Sequence, residues 1–106
     1  MRLELVATSN GNSRSLDSFP ALVGQSPEAD VELAGPSQDN YHCLISRNDN
    51  HLVVWDLGAA GGTLVNGVRV TKAALKAGDT LTLGGNSFAV RCEQPSPGRY
   101  MFGPRS

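Results

Sequence analysis

The sequence predicts an all-β fold, a β-sandwich or small barrel built from short antiparallel strands. Hydrophobic and polar residues alternate with a period of two in several runs, as they do in strands with one face on a core. Turn-forming residues separate these runs at close spacing, which is typical of sandwiches and barrels. Only residues 71–77 have a helix-like composition, and because Gly78 follows them we expect at most one helical turn there.

The predicted strands follow one another from residue 2 to residue 92. Four of them alternate clearly, with apolar side chains at Leu3 and Leu5, Leu52 and Val54, Leu81 and Leu83, and Phe88, Val90 and Cys92. Shorter runs rich in Val, Leu and Ile lie at 19–23, 30–33, 41–47, 63–65 and 68–70. The last two are separated by Asn66-Gly67, the dipeptide most typical of a two-residue β-hairpin, so we predict a hairpin there.

The length of 106 residues fits one domain with a single hydrophobic core. Hydrophobic residues make up 40% and charged residues 18%, which is ordinary for a globular protein. We expect the sandwich to span residues 1–92. Residues 93–106 have the Pro, Ser and Gly content of a linker, which favours a larger parent protein.

The charges are balanced, with 9 Lys and Arg against 10 Asp and Glu and a net charge of −1. Proteins that bind nucleic acids or membrane surfaces usually carry a basic excess or cluster, so we expect neither partner. The spacing of Arg69, Lys72 and Lys76 is typical of a solvated strand edge. No apolar stretch approaches the roughly 18 residues of a membrane-spanning helix, and the N-terminus lacks a signal-peptide pattern. We therefore expect a cytoplasmic location.

No group of residues indicates catalysis or cofactor binding. The sequence has no nucleophile–base arrangement, no Walker-type phosphate loop, no plausible carboxylate pair and no Cys/His spacing of a metal site. Cys43 and Cys92 lie in predicted strands, where buried reduced thiols are the expectation, and a disulfide between them stays open. We expect no enzyme, no metal and no cofactor.

Four blocks of the chain resemble the sequence pattern of forkhead-associated (FHA) domains. Residues 23–33 are similar to hydrophobic-Gly-Arg-x-x-x-x-Asp-Ile-x-Leu, and residues 41–45 to Arg-His-Ala-x-Ile. Residues 56–67 are similar to Asp-Leu-Gly-Ser-x-Asn-Gly-Thr-x-hydrophobic-Asn-Gly, and residues 75–84 to Leu-x-x-Gly-Asp-x-Ile-x-Leu-Gly. The blocks occur in order at the family's spacing. The resemblance implies an FHA/SMAD-like sandwich of about eleven strands that recognises phosphothreonine through apical loops, and we expect a bacterial parent protein.

The resemblance also implies which residues maintain the scaffold. His42 matches the family's buried histidine, which braces the binding loops by hydrogen bonds, whereas His51 lies past a turn at the other end of its strand. The other positions implied as structural are Gly24, Asp56, Gly58, Gly62, Thr63, Asn66, Gly67, Asp79 and Gly84. Carboxylates at strand edges accept backbone N–H bonds, and glycine suits places where a Cβ would clash.

The residues implied as phosphate and peptide ligands are all replaced. For the family's Arg, Ser, second Ser and Asn this chain has Gln25, Asp39, Ala59 and Gly61, and Asn40 stands where an Arg often touches the peptide. A micromolar complex corresponds to about 8 kcal/mol. Losing a guanidinium and a hydroxyl removes about 3–6 kcal/mol of that binding energy. Because Asp39 also adds a like charge, we predict no phosphothreonine binding in the usual way.

The sequence thus predicts a non-catalytic signalling module that binds a protein or peptide, unphosphorylated, through the loops 34–40 and 57–62. The candidate partner-binding residues are Gln25, Ser37, Gln38, Asp39, Asn40, Ala59, Ala60 and Gly61.

Two alternatives stay open. The first is a phosphate site rebuilt around Ser37, with Arg14 or Arg47 as its cation. The second is an assembly domain that packs through its sandwich faces, as some secretion-system ring proteins resembling FHA folds do, and it is compatible with self-association. Trp55, on the outer face of its strand, would then be an anchor, unless residues 100–102 of the tail cover it.

Overall fold

A computed structural model of the chain describes residues 2–33, 40–49 and 51–93. These residues contain eleven β-strands and no helix, so the predicted all-β class and strand number are confirmed. In chain order the strands are β1 (Arg2–Ala7), β2 (Ser13–Leu16), β3 (Ala21–Gly24), β4 (Val31–Glu32), β5 (Cys43–Asn48), β6 (His51–Asp56), β7 (Thr63–Val65), β8 (Val68–Val70), β9 (Lys72–Leu75), β10 (Thr80–Leu83) and β11 (Asn86–Glu93).

The strands form two sheets packed as a sandwich. One sheet has six strands in the order β2-β1-β11-β10-β7-β8, and the other has five in the order β4-β3-β5-β6-β9. The short β4 pairs with β3 in parallel, which departs from the expected antiparallel arrangement. Two hydrogen bonds of Asp30 hold the chain beside β3 just before β4 begins. Its N–H donates to Leu22 O and its carboxylate accepts from Leu22 N, both at 2.8 Å.

The core lies between the two sheets and is made by the alternating apolar positions. The side chains predicted to face inward in β1, β6, β10 and β11 are all at most 8% exposed, except the half-buried Cys92. Core side chains with no exposed surface include those of Leu5, Ile45 and Leu81. Burying one such aliphatic side chain contributes about 1.5–3 kcal/mol, so this layer is the main source of stability.

The predicted hairpin at Asn66-Gly67 is present between β7 and β8. Val65 pairs with Val68, and the two loop residues have φ of 53° and 82°, as a two-residue type I′ turn requires. The Asn66 amide also ties the hairpin to β10, because its Oδ1 accepts from Thr80 N at 2.9 Å.

The described residues contain no helical turn at 71–77, which is within the predicted limit of at most one, because residues 72–75 form β9. This strand pairs with β6, and its alternation places Ala73 and Leu75 toward the core opposite Val54 and Leu52. The pairing with β6 and the burial of Leu75 outweigh the weak helix preference of the Lys and Ala residues.

The sheets share one end, here called the apical end, where loops 40–42, 57–62 and 84–85 lie. Cys43 at the start of β5 is opposite Asp56 at the end of β6, and Thr63 at the start of β7 is opposite Leu83 at the end of β10. The Thr63 hydroxyl donates to Asp56 Oδ1 at 2.8 Å, which joins the two sheets there.

Neither a membrane helix nor a metal cluster occurs in the described part of the chain. No helix there is long and apolar enough to cross a membrane. No group of three or more His, Cys, Asp or Glu side chains there could hold a metal ion.

Both cysteines are free thiols, so the disulfide that the sequence left open is not formed. Cys43 is fully buried, and this burial, with a smaller contribution from the Asp56 carboxylate, raises its pKa to about 12. Burial and the Asp79 carboxylate also raise the pKa of Cys92. Because the thiolate is the reactive form, Cys43 has the properties of an inert core residue.

Candidate functional site

The structure describes five of the eight residues predicted to bind a partner, and they lie at the apical end. They are Gln25, Asn40, Ala59, Ala60 and Gly61. Ser37, Gln38 and Asp39 lie outside the described residues, as do the rest of loop 34–39 and the tail from residue 94.

The end of β3 meets the backbone of loop 40–42 at very close range. His42 N donates to Val23 O at 2.8 Å, and Ser26 N donates to Asn40 O at 3.2 Å. A Cβ on Gly24 would overlap Asn40 O and lie 2.7 Å from Asn40 C. Glycine at position 24 therefore lets this loop sit against β3.

His42 links two apical loops from inside the domain. Its ring is 1% exposed, and its Nε2 lies 2.9 Å from Gly62 O, which is an acceptor, so Nε2 carries the proton. Its Nδ1 has no partner among the described residues. Its backbone oxygen accepts from Leu57 N at 3.0 Å. The other histidine, His51, lies at the opposite end, where it pairs with Asn48.

Loop 57–62 is held in place by Asp56. Its Oδ1 accepts from the buried Thr63 hydroxyl at 2.8 Å, and its Oδ2 accepts from Gly58 N at 3.1 Å. Gly62 N donates to Ala59 O at 3.0 Å, which closes a turn. Gly62 has φ of 77°, a left-handed conformation that other residues adopt only under strain. The loop is therefore a fixed surface.

The remaining residues implied as structural divide between the two ends. Gly84, with φ of 63°, is at the apical end beside Gly61. Asn66, Gly67 and Asp79 are at the opposite end, where Asp79 accepts from Lys76 N at 2.8 Å and from Asn66 Nδ2 at 3.0 Å. These contacts fix the hairpin and the turn before β10.

The apical positions that replace the family's ligands offer few donors. Ala59 is only 3% exposed, so its methyl group faces the interior. Gly61 has no side chain, and a Cβ there would lie 3.3 Å from Gly84 Cα. Gln25 is half-buried and already interacts within the domain, whereas Asn40 is exposed.

Three apical residues are absent from the predicted partner-binding residues, although one of them, Leu57, belongs to the predicted loop 57–62. Tyr41 is 50% exposed and Leu57 is 45% exposed, and Leu57 N donates to the backbone oxygen of His42, the residue that follows Tyr41. Arg69 reaches the same end, because its guanidinium lies against Gly62. The alternation of inward and outward side chains from Val54 through Trp55 and Asp56 was a signal that the Leu57 side chain faces outward. Nothing in the sequence indicated the position of Arg69.

Trp55 lies on the outer face of the five-stranded sheet, as predicted, and is 39% exposed. Its indole N–H donates to Ser46 Oγ at 2.9 Å, and Lys72 Nζ lies 4.5 Å from its ring centroid. The register places Leu22, Leu44 and Trp55 in one row across three strands. The tail residues proposed to cover Trp55 lie outside the described residues.

Similar folds occur in several solved FHA domains. The FHA domain of the CT664 protein from Chlamydia trachomatis is 31% identical, with a TM-score of 0.76 over 88% of this chain and 97% of that one. The N-terminal FHA domain of Rad53p from Saccharomyces cerevisiae, solved with a phosphothreonine peptide, is 20% identical, with a TM-score of 0.79 over 88% and 94% of the two chains. EmbR from Mycobacterium tuberculosis, in complex with a low-affinity phosphopeptide, is 19% identical with a TM-score of 0.83.

The match to EmbR covers 92% of this chain but only 26% of EmbR, so the chain spans about a quarter of that protein. A comparison with curated proteins finds no match. The sequence profile of the FHA domain matches residues 21–84, which is more than half of the chain. Together with the eleven-stranded sandwich and the arrangement of His42, Asp56 and the apical glycines, this match shows that the chain belongs to the FHA domain family, a family of phosphopeptide-binding interaction modules.

Proposed function

We propose that this FHA domain binds an unphosphorylated segment of a partner protein at its apical end, without recognising phosphothreonine by the family's usual contacts. One observation carries the proposal: Ala59 and Gly61, which stand at two ligand positions, offer no side-chain donor. The proposal assigns the chain no catalytic role, in keeping with a family of interaction modules.

The expected loss of phosphate affinity is large. Gln25 has a neutral amide where the family has a guanidinium, and Ala59 has no hydroxyl. Each hydrogen bond to a charged group is worth about 1.5–3 kcal/mol, so the two changes together remove about 3–6 kcal/mol. About 2–5 kcal/mol then remains of the roughly 8 kcal/mol of a micromolar complex, which corresponds to a dissociation constant of about 0.2 mM or weaker.

Binding to a partner in this proposal depends on apolar contacts. Tyr41 and Leu57 are two of the four large hydrophobic side chains that are exposed in the described chain, at 50% and 45%. Both lie at the apical end, Tyr41 in loop 40–42 and Leu57 at the start of loop 57–62. Exposed apolar side chains with a polar rim mark interaction sites, and Tyr is enriched among the residues that contribute most to binding.

Selection from an unphosphorylated random peptide display library tests the proposal. We expect the natural protein to enrich peptides with apolar side chains. Tyr41→Lys is expected to weaken their binding at least about tenfold, because a charged group replaces the ring in its apolar contact with the peptide. A tenfold loss of affinity corresponds to about 1.4 kcal/mol. The dissociation constants of selected peptides are measured by fluorescence anisotropy.

Val68→Lys is the matched control for Tyr41→Lys. Val68 is 63% exposed and lies next to the hairpin turn at the opposite end, so its replacement leaves an apical site intact. Equal losses in the two variants would contradict the proposal. A loss confined to Trp55→Ala would instead favour the assembly alternative, since Trp55 lies on the outer face of the five-stranded sheet.

A further inference from the structure

A guanidinium group lies directly against the backbone of loop 57–62. Arg69 in β8 is opposite Leu64 in β7, near the apical end. Its Nε is 2.7 Å and its Cζ 3.0 Å from the point that a Cβ on Gly62 would occupy. A side chain at position 62 would displace this group, so Gly62 makes room for the Arg69 guanidinium.

The peptide beneath the guanidinium is also held from the inside. Gly62 O accepts a hydrogen bond from the buried His42 Nε2 at 2.9 Å. Gly62 N donates to Ala59 O at 3.0 Å. Arg69 therefore rests on fixed backbone.

The positive charge of Arg69 is not neutralised by an acidic side chain of the described residues. The side chain is exposed, and the ion pair between Arg91 and Glu4, at 3.5 Å, does not involve it. The Asp56 carboxylate at the apical end is engaged by the Thr63 hydroxyl and Gly58 N. Arg69 can thus offer its donors to a bound group.

We propose that the guanidinium of Arg69, lying against Gly62, forms a subsite for a carboxylate of the bound segment, from an Asp or Glu side chain. One guanidinium carries a single charge and matches a carboxylate in a bidentate pair. A phosphoryl group carries about −1.5 to −2 and would be only partly neutralised there. This inference rests on the proposed function and specifies its partner as an acidic, unphosphorylated segment.

Parallel selections from the same unphosphorylated library test the subsite, using the natural protein, Arg69→Gln and Arg47→Gln. Arg47 is an exposed arginine at the opposite end, opposite Leu52, and serves as the matched control. We expect Asp or Glu to be enriched at one peptide position with the natural protein and with Arg47→Gln, but not with Arg69→Gln. Changing that acid to its amide should weaken binding at least about tenfold with Arg69 present and have little effect without it. Arg69→Lys should give an intermediate loss.

Several results would overturn the subsite. Acid enrichment that persists in Arg69→Gln, or an acid-to-amide change with no effect on the natural protein, would remove Arg69 from the contact. Tighter, Arg69-dependent binding when phosphothreonine replaces the acid would make the group a phosphate. If neutral peptides bind and still depend on Tyr41, the subsite fails while the proposed function holds; if no peptide is selected, both fail.

Discussion

Replacing Gly24 with alanine is expected to destabilise the domain by about 3 kcal/mol, because the new Cβ would overlap backbone atoms. The ideal Cβ position overlaps Asn40 O and lies 2.7 Å from Asn40 C. Both atoms belong to backbone that is hydrogen-bonded on either side of the contact. Asn40 O accepts from Ser26 N, and His42 N, two residues further on, donates to Val23 O. The chain must therefore move loop 40–42 off the end of β3.

Thermal unfolding followed by circular dichroism measures this loss. For a domain of this size about 1 kcal/mol shifts Tm by roughly 4–8 °C, so we expect a fall of more than about 10 °C. Gly85→Ala is the matched control, because a Cβ at Gly85 meets nothing within 4 Å. A Gly24→Ala protein as stable as Gly85→Ala would show that loop 40–42 does not depend on this close contact.

Replacing His42 with alanine is expected to cost about 3 kcal/mol for two reasons. The ring is 1% exposed, so its removal leaves a cavity at the apical end. Gly62 O also loses the Nε2 donor at 2.9 Å, and an unsatisfied buried carbonyl costs about 1–3 kcal/mol. Loop 57–62 would then lose the side-chain hydrogen bond that joins it to loop 40–42, and we expect weaker partner binding as well.

His51→Ala is the matched control for His42→Ala, since His51 is exposed at the opposite end. We expect it to change the free energy of unfolding, measured in urea, by less than about 0.5 kcal/mol. Amide hydrogen exchange should also rise in loop 57–62 for His42→Ala only. Similar stability losses in both variants, with unchanged exchange, would contradict the bridging role of the His42 ring.

The strands that sequence reasoning predicted best are those whose pattern has a direct physical cause. Leu3 and Leu5 alternate with polar residues because one face of β1 is buried, and both side chains have no exposed surface. The hairpin at Asn66-Gly67 was predictable because few residues accept a positive φ at both turn positions. Such features depend on neighbours in the chain.

The features that the sequence did not reveal depend on distant contacts. Residues 72–75 have a helix-like composition, but pairing with β6 makes them a strand. The parallel return of β4 depends on Asp30 bonding back to Leu22, eight residues earlier. Arg69 becomes part of the apical surface only because β8 pairs with β7 and Gly62 leaves room for its guanidinium. The family resemblance predicted the positions of His42 and Asp56 but not their bonding partners in this chain.

The most direct test of the central claim is a titration of ¹⁵N-labelled protein with a degenerate phosphothreonine peptide library and with its unphosphorylated twin. The amides to follow are those of loops 40–42 and 57–62 at the apical end. The lost phosphate contacts at Gln25 and Ala59 predict that phosphorylation produces no additional shifts at micromolar peptide concentrations. Selective shifts of these amides with the phosphorylated library at those concentrations would contradict the claim and indicate a phosphate site built from other residues.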